Sequence, residues 1–342
     1  MENIYKLEHI DIEITPKCNL TCIHCSAQAG ERNVKEDELS EEEIKKILLN
    51  AKELGLKKVG ITGGEPLCDI KKLENIVKFC VNELKVSLHT HTNGTLITEE
   101  LCKEGGILSY FDSISVTFLG ATPQIHDYVT QKRGSFEKAF KGASILSKSG
   151  LPLTCYFIPF RGMSSEFGKL LMSLNNIGVK RIRVMALAPS GRARQDYERI
   201  VPSSEEFKKF ENEILEIGEK LNMTIEAGYC TRLSLNKLKV LKGHESCLSA
   251  INRVHINYKG DVFPCTAASG VKELRLGCLR KNGYNIKEIW ENSKIANKIR
   301  LLRAGKLECR LCGSPPKCKT GCIVKTIGTM QIDYLQKCPL LN

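Results

Sequence analysis

Three cysteines near the start of the chain have the spacing of metal-cluster ligands. Cys18, Cys22 and Cys25 follow one another as C-x₃-C-x₂-C. Four thiolates would fully ligate a cubane iron–sulfur cluster, so three leave one iron open to a non-protein ligand. A zinc knuckle is the alternative. Residues 9–15 alternate apolar and polar side chains and predict a strand, so the cysteines lie in a loop at its C-terminal end.

A glycine-rich turn follows the second predicted strand, residues 57–62. Gly63 and Gly64 permit close approach of the backbone to a ligand, and Glu65 adds a carboxylate before Pro66. A Gly-Gly turn alone is most often a structural bend. Its position downstream of the three cysteines favours a binding role.

Strand-like and helix-like segments alternate through the first 200 residues. The predicted strands are residues 9–15, 57–62, 85–90, 113–118, 152–158 and 181–187. Helices are predicted between them, and the first of these begins with a capping box formed by Ser40 and Glu43. Six βα-type units predict a parallel sheet with too few strands for a closed barrel of eight. The expected fold is α/β, a partial (β/α)6 TIM barrel with a lateral opening for a bulky substrate.

The cysteine triplet and the Gly63–Pro66 turn together resemble the signatures of the radical S-adenosylmethionine (radical SAM) enzymes. The resemblance implies that the amino and carboxylate groups of SAM chelate the open iron. It implies that one electron from the cluster cleaves SAM to a 5′-deoxyadenosyl radical. It also implies that the backbone of the turn and the Glu65 carboxylate contact the amino group of SAM.

Three further segments extend the resemblance. Asn93 lies in a Thr-Asn-Gly turn like that of the family, although a plain turn is the alternative, and Thr117 stands where the family has a hydroxyl that binds SAM. Leu119 replaces the acid of that segment, so no role of a carboxylate is implied there. The segment around Leu187 and Ala188 resembles the family's neighbour of the adenine ring.

The C-terminal part of the chain is rich in cysteine. A block of four spaced C-x₂-C-x₅-C-x₃-C is typical of a zinc ribbon or an iron–sulfur site. With their neighbours they give seven cysteines whose spacing resembles the SPASM domain of radical SAM maturases: Cys247, Cys265, Cys309, Cys312, Cys318, Cys322 and Cys338. We therefore predict a barrel over residues 1–200, a connector over 201–229 and a SPASM domain over 230–342.

The SPASM resemblance implies two auxiliary [4Fe–4S] clusters, and thus three clusters in all. It assigns Cys247, Cys265 and Cys322 to the first auxiliary cluster. It assigns four cysteines to the second: Cys309, Cys312, Cys318 and Cys338. Cys230 is the candidate for the missing ligand of the first auxiliary cluster, with Cys278 or an iron left open for substrate as alternatives. Four other cysteines are predicted to be buried as small apolar side chains: Cys68, Cys80, Cys102 and Cys155.

The composition of the chain indicates its expected location, the state of its cysteines and the charge of its partners. The chain has 342 residues, 42% of them apolar, with 16 cysteines and a net charge of +12. No apolar run long enough to span a membrane and no signal peptide occur, so a cytoplasmic location and metal-bound rather than disulfide-bonded cysteines are expected. The positive charge suits solvated helix faces or acidic partners such as a flavodoxin or ferredoxin electron donor. Basic and aromatic residues do not interleave, which argues against nucleic-acid binding.

The resemblance implies an oxidoreductase that modifies a ribosomally made peptide by a thioether or carbon–carbon cross-link or by decarboxylation. A tetrapyrrole side-chain decarboxylase of a haem pathway, or another small-molecule oxidase, is the alternative. Only eight residues precede the first strand, so we expect either that a separate protein recognises any leader peptide or that the barrel and SPASM domain bind the peptide directly. The residue that deprotonates the substrate is not specified, and six strand-end residues are candidates: Glu13, His89, His91, Tyr156, Arg161 and Arg183.

Overall fold

The structure is a computed structural model that describes residues 5–30, 37–163, 167–227, 247–304 and 322–328. Five of the predicted cluster ligands lie outside the described residues: Cys230, Cys309, Cys312, Cys318 and Cys338. Among the described residues, no helix is both long and apolar enough to cross a membrane.

One ten-stranded sheet organises the described part of the chain. Its strands are β1 (His9–Glu13), β2 (Lys58–Thr62), β3 (Ser87–Thr92), β4 (Ser113–Phe118), β5 (Leu153–Phe157), β6 (Arg181–Val184), β7 (Thr224–Ala227), β8 (Arg253–Ile256), β9 (Asp261–Phe263) and β10 (Gly277–Cys278). The spatial order is β10-β9-β8-β1-β2-β3-β4-β5-β6-β7. The strands from β8 through β7 run parallel, whereas β9 and β10 add antiparallel pairs at one edge.

All six predicted strands are present, and the sheet continues beyond them on both sides. β7, from the predicted connector, pairs in parallel with β6, and β8, from the cysteine-rich half, pairs in parallel with β1. The barrel and the cysteine-rich half therefore share one sheet.

The helices of the described residues are α1 (Glu41–Glu53), α2 (Ile70–Phe79), α3 (Glu99–Cys102), α4 (Pro123–Thr130), α5 (Ser135–Lys148), α6 (Phe167–Asn176), α7 (Ala193–Ile200), α8 (Ser204–Leu221), α9 (Ile286–Asn292), α10 (Lys294–Arg303) and α11 (Ile323–Gly328). Helices pack against the apolar core of this sheet, among them α1, α2, α5 and α6. The capping box of Ser40 and Glu43 is formed at the start of α1, as predicted. α4 was not anticipated from the sequence; it begins with Pro123, whose missing N–H is harmless in a first turn.

Side chains alternate between two faces along each strand. In β1, Ile10 and Ile12 are fully buried in the apolar core, whereas Asp11 and Glu13 point to the opposite face. We call this opposite face the inner face. It carries the following residues: His9, Asp11, Glu13, Lys58, Gly60, His89, His91, Ser115, Thr117, Tyr156, Arg183, Glu226, Arg253 and His255.

The inner face is concave, because side chains meet across intervening strands. His89 Nε2 of β3 lies 2.9 Å from Asp11 Oδ1 of β1, across β2. The rings of His91 on β3 and Tyr156 on β5 are 5.2 Å apart, across β4. A sheet that curves in this way matches the predicted partial barrel.

Candidate active site

The glycine turn after β2 packs directly against the cysteine loop. Gly64 N donates to Thr15 O and Glu65 N donates to Lys17 O, both at 2.8 Å. A Cβ on Gly63 would lie 2.6 Å from Thr15 O, and one on Gly64 would lie 2.2 Å from Lys17 O. The glycines thus allow close approach to the backbone of the cysteine loop, and their approach to a ligand stays a prediction.

Glu65 joins two of the predicted segments. Its buried carboxylate accepts from Leu67 N at 3.1 Å, from Thr92 Oγ1 at 2.8 Å and from Asn93 N at 2.7 Å. Burial raises the pKa of Glu65 to about 7, although these hydrogen bonds oppose the shift. Among the described residues, Oε2 accepts a single hydrogen bond, so it has capacity for one more donor such as an ammonium group.

Asn93 connects the Thr-Asn-Gly turn to the cysteine loop. Its Nδ2 donates to Asn19 Oδ1 at 2.9 Å and lies 3.9 Å from Cys18 Sγ. Asn19 in turn donates to Thr95 Oγ1 at 2.7 Å. The Thr-Asn-Gly turn therefore contacts the cysteine loop through Asn93, and a role of Asn93 in binding SAM stays a prediction.

The three thiols of the loop influence one another electrostatically. Burial raises the pKa of Cys18 to about 12, and the charges of Glu65 and Cys25 add to the shift. Burial, followed by the charges of Cys25 and Cys18, also raises the pKa of Cys22. The raised pKa values of Cys18 and Cys22 fit a site for a positively charged iron cluster, because metal-bound thiols lose their protons.

Arg192 anchors this loop, a role that the sequence analysis missed. Its Nε donates to Cys22 O at 2.7 Å and its Nη1 to Ala29 O at 2.9 Å. Its Nη2 is buried without a hydrogen-bond partner in the described part of the chain, which is consistent with a group bound beside the loop. The Gly-Arg pair after β6 was the available signal, whereas the resemblance of that segment implied only a neighbour of the adenine ring.

Gly191, beside Arg192, brings the cysteine-rich half into contact with the same loop. Its φ is +55°, and a Cβ there would lie 2.2 Å from Cys25 O. A Cβ on Gly270 would lie 2.1 Å from Gly191 N and 2.8 Å from Ser26 O. Gly270 ends the short 3-10 helix that follows Cys265. Backbone from the predicted auxiliary site thus abuts the cysteine loop.

The remaining predicted SAM contacts lie at the same end of the sheet. Thr117 is half-buried on the inner face and pairs in register with Tyr156. Leu119 and Leu187 are buried in a small apolar cluster against which Cys22 packs. Ala188 O accepts a hydrogen bond from Ser190 N at 2.9 Å.

Three cysteines predicted for the first auxiliary cluster also converge. Burial raises the pKa of Cys265 to about 12, and the charges of Cys322 and Cys247 raise it further. Cys278, the rival fourth ligand, lies in β10, where it pairs with Asp261. Three of the cysteines predicted to be apolar filling are buried: Cys80, Cys102 and Cys155. Cys68 differs, because it is half-buried and its charge acts on Cys18.

The candidate bases separate into groups with different partners. Glu13 contacts His255 Nε2 at 2.9 Å, and Arg161 is exposed and donates to Glu198 O. His89 is held by Asp11. Arg183 donates to Tyr156 Oη at 3.0 Å, close to the ring of His91. Burial lowers the pKa of His91 to about 3, which makes this imidazole a weak base.

Comparison with protein families agrees with this geometry. A model of the radical SAM superfamily matches residues 12–163, and a model of the iron–sulfur cluster-binding SPASM domain matches residues 247–319. The chain is a radical SAM enzyme with a SPASM domain. These domain types imply iron–sulfur clusters and SAM binding, with which the converging thiols agree.

Several known proteins are similar to this radical SAM enzyme over most of their length. AdoMet-dependent heme synthase of Methanosarcina barkeri is 28% identical over 96% of this chain and 94% of that protein. Mycofactocin maturase MftC of Mycolicibacterium smegmatis is 26% identical, covering 91% and 76%. PqqA peptide cyclase of Rhizobium meliloti is 25% identical, covering 84% and 74%.

Two solved structures share the fold. SuiB of Streptococcus suis bound to S-adenosylmethionine has a TM-score of 0.72 at 17% identity, covering 98% of this chain and 76% of that one. anSMEcpe with bound AdoMet and a peptide has a TM-score of 0.64 at 18% identity, covering 92% and 88%. The partial-barrel prediction is thus confirmed.

Proposed function

We propose that this radical SAM enzyme removes hydrogen from a ribosomally made peptide, forming a cross-link or releasing a carboxyl group. Support for a peptide comes from the relatives named mycofactocin maturase and PqqA peptide cyclase, and from a SuiB structure that contains the precursor peptide SuiA. The contact of Gly270 with Gly191 supports oxidation, because it brings an auxiliary site beside the cysteine loop.

In this proposal, Cys18, Cys22 and Cys25 hold the cluster that binds SAM. Such a cluster, with SAM bound, supplies a radical that removes one hydrogen atom from the substrate. Arg192 holds the loop by two main-chain carbonyls, and Glu65 presents Oε2 to the SAM ammonium. The remainder of the proposed SAM site is formed by the following residues: Gly63, Gly64, Pro66, Asn93, Thr117, Leu187 and Ala188.

The radical removes one hydrogen atom from the substrate. Loss of the second hydrogen then releases one proton and one electron. We propose that Cys247, Cys265 and Cys322, completed by Cys230, hold an auxiliary cluster that accepts this electron. Cys278 or an open iron remains the alternative to Cys230. The third cluster is assigned to the four cysteines Cys309, Cys312, Cys318 and Cys338. A flavodoxin or ferredoxin would supply reducing electrons, and a separate protein would present the leader peptide.

A tetrapyrrole side-chain decarboxylase is the second candidate. The observation that favours it is the similarity to AdoMet-dependent heme synthase, which extends over 94% of that protein. The two candidates differ in their substrate and not in the radical chemistry that starts the reaction.

The deciding experiment is an anaerobic assay of the enzyme with reconstituted clusters, SAM and a reductant. A short peptide encoded beside its gene should lose two hydrogen atoms, or carbon dioxide together with two hydrogen atoms, with matching formation of 5′-deoxyadenosine. The triple variant Cys18→Ala, Cys22→Ala, Cys25→Ala should lose about four of twelve iron atoms per chain. It should form no 5′-deoxyadenosine. Turnover of an iron tetrapyrrole with propionate side chains, and not of the peptide, would overturn the proposal and establish the second candidate.

A further inference from the structure

A separate group of ligand-type side chains lies at the N-terminal end of the inner face, away from the cysteine loop. His9 Nε2 is 3.1 Å and His89 Nε2 is 2.9 Å from Asp11 Oδ1. These three atoms all lie within 4.8 Å of one another. The residues belong to β1 and β3, and none of them takes part in the proposed SAM or iron–sulfur sites.

The space in which they meet exists because β2 carries a glycine there. Gly60 pairs in register with Asp11 on one side and His89 on the other. A Cβ at Gly60 would lie 2.1 Å from Asp11 Oδ1 and 2.4 Å from His89 Nε2. Any other residue at this position would occupy the point where the two side chains converge.

We propose that His9, Asp11 and His89 bind one divalent transition-metal ion, for which Zn²⁺ is a suitable probe. Two ligands that bind a metal at about 2.1 Å and at right angles to each other lie about 3 Å apart. The two measured distances to Asp11 Oδ1 agree with that value. Two imidazoles and one carboxylate on one side of an ion form the facial arrangement that leaves further coordination positions open.

The surrounding charges limit which ion can bind. Arg253 Nη2 donates to Asp11 Oδ2 at 2.9 Å, so it orients the carboxylate through the oxygen that does not face the histidines. Lys58 pairs with His9 in register and adds a second positive charge nearby. Ions that depend on carboxylate charge, such as Mg²⁺ and Ca²⁺, are disfavoured there, whereas imidazole ligands suit zinc and iron.

The test uses the complete enzyme, because the cysteines assigned to the clusters are then occupied by iron. The anaerobically reconstituted protein is equilibrated with Zn²⁺, desalted and analysed for zinc and iron. We expect one zinc per chain in the wild type and in His91→Gln, a neighbouring inner-face histidine outside the group. His9→Gln and His89→Gln should lose this zinc while keeping their full iron content, which reports that they are folded.

X-ray absorption at the zinc edge gives the second readout. Nitrogen and oxygen ligands at about 2.0–2.1 Å are expected, whereas zinc bound to cysteine would show sulfur at about 2.3 Å. The proposal is overturned if the wild type retains no zinc, if the ligands are sulfur, or if His91→Gln loses zinc as completely as His89→Gln. Because the assay does not depend on substrate turnover, its failure would leave the proposed function unaffected.

Discussion

The two ends of the inner face are stabilised by different kinds of contact. At the C-terminal end, Glu65 and Arg192 bind main-chain atoms of loops, and glycines allow backbone to touch backbone. At the N-terminal end, side chains bind side chains, with Asp11 contacting Arg253, His9 and His89. Main-chain anchoring fixes the shape of the cysteine loop and leaves its thiols available for a cluster. At the N-terminal end, Arg253 instead offsets the buried charge of Asp11.

From this comparison, we expect a substitution at the C-terminal end of the inner face to abolish SAM cleavage. Arg192→Ala would delete two charged hydrogen bonds to the carbonyls of Cys22 and Ala29, worth roughly 3–6 kcal/mol together. The cysteine loop should then lose its shape. We expect the loss of about four iron atoms per chain and no detectable 5′-deoxyadenosine after anaerobic reconstitution.

Arg194→Ala is the matched control for this variant. Arg194 lies two positions further on and forms a partly exposed ion pair with Glu273 at 3.1 Å. Its loss should leave iron content and SAM cleavage close to those of the wild type, because exposed ion pairs contribute at most about 1 kcal/mol. Equal behaviour of the two arginine variants would show that Arg192 has no special role.

Damage at the N-terminal end should instead lower stability. Asp11→Asn removes a buried negative charge that one arginine and two histidines contact. We expect the free energy of unfolding to fall by about 3 kcal/mol, the cost of removing one partner of a buried ion pair. Chemical denaturation measures this loss, and SAM cleavage at low temperature should be retained.

Asp112→Asn serves as the control, because this exposed carboxylate accepts from Ser87 Oγ and Leu88 N near the same end of the sheet. Its change in unfolding free energy should be about 1 kcal/mol. If Asp11→Asn abolished SAM cleavage while its stability was unchanged, the division between the two ends would be wrong.

Local sequence patterns predicted much of this architecture. Alternation along strands and the Ser40–Glu43 capping box are short-range signals, and all six predicted strands formed, although the bounds of five of them differ by up to three residues. The parallel pairing of β7 with β6 and of β8 with β1 was not foreseen, since the choice of neighbour depends on packing between distant segments.

The candidate site residues show the same division between local patterns, which the sequence reveals, and contacts between distant segments, which it does not. The grouping of Cys18, Cys22 and Cys25 was readable because the three lie in one loop. Arg192 was missed because the carbonyls it binds are 170 and 163 residues away in the chain. The close approach of Gly63 and Gly64 to the backbone of Thr15 and Lys17 was not foreseen, because those residues are about 50 positions away in the chain, and the approach of the two glycines to a ligand stays a prediction.

The smallest expected effect concerns the contact between the cysteine-rich half and the cysteine loop. Gly270→Ala adds one methyl group, whose carbon would lie 2.1 Å from Gly191 N, so the 3-10 helix after Cys265 must shift. Such overpacking costs about 1–3 kcal/mol. We expect full iron content but a several-fold slower rate of SAM cleavage, because the neighbouring loop shifts as well. Ser269→Ala, which removes only a 3.3 Å hydrogen bond to Glu13 from the same helix, should cleave SAM at the normal rate. A normal rate in Gly270→Ala would mean that this end tolerates displacement, and that close backbone contact is not what positions the cysteine loop.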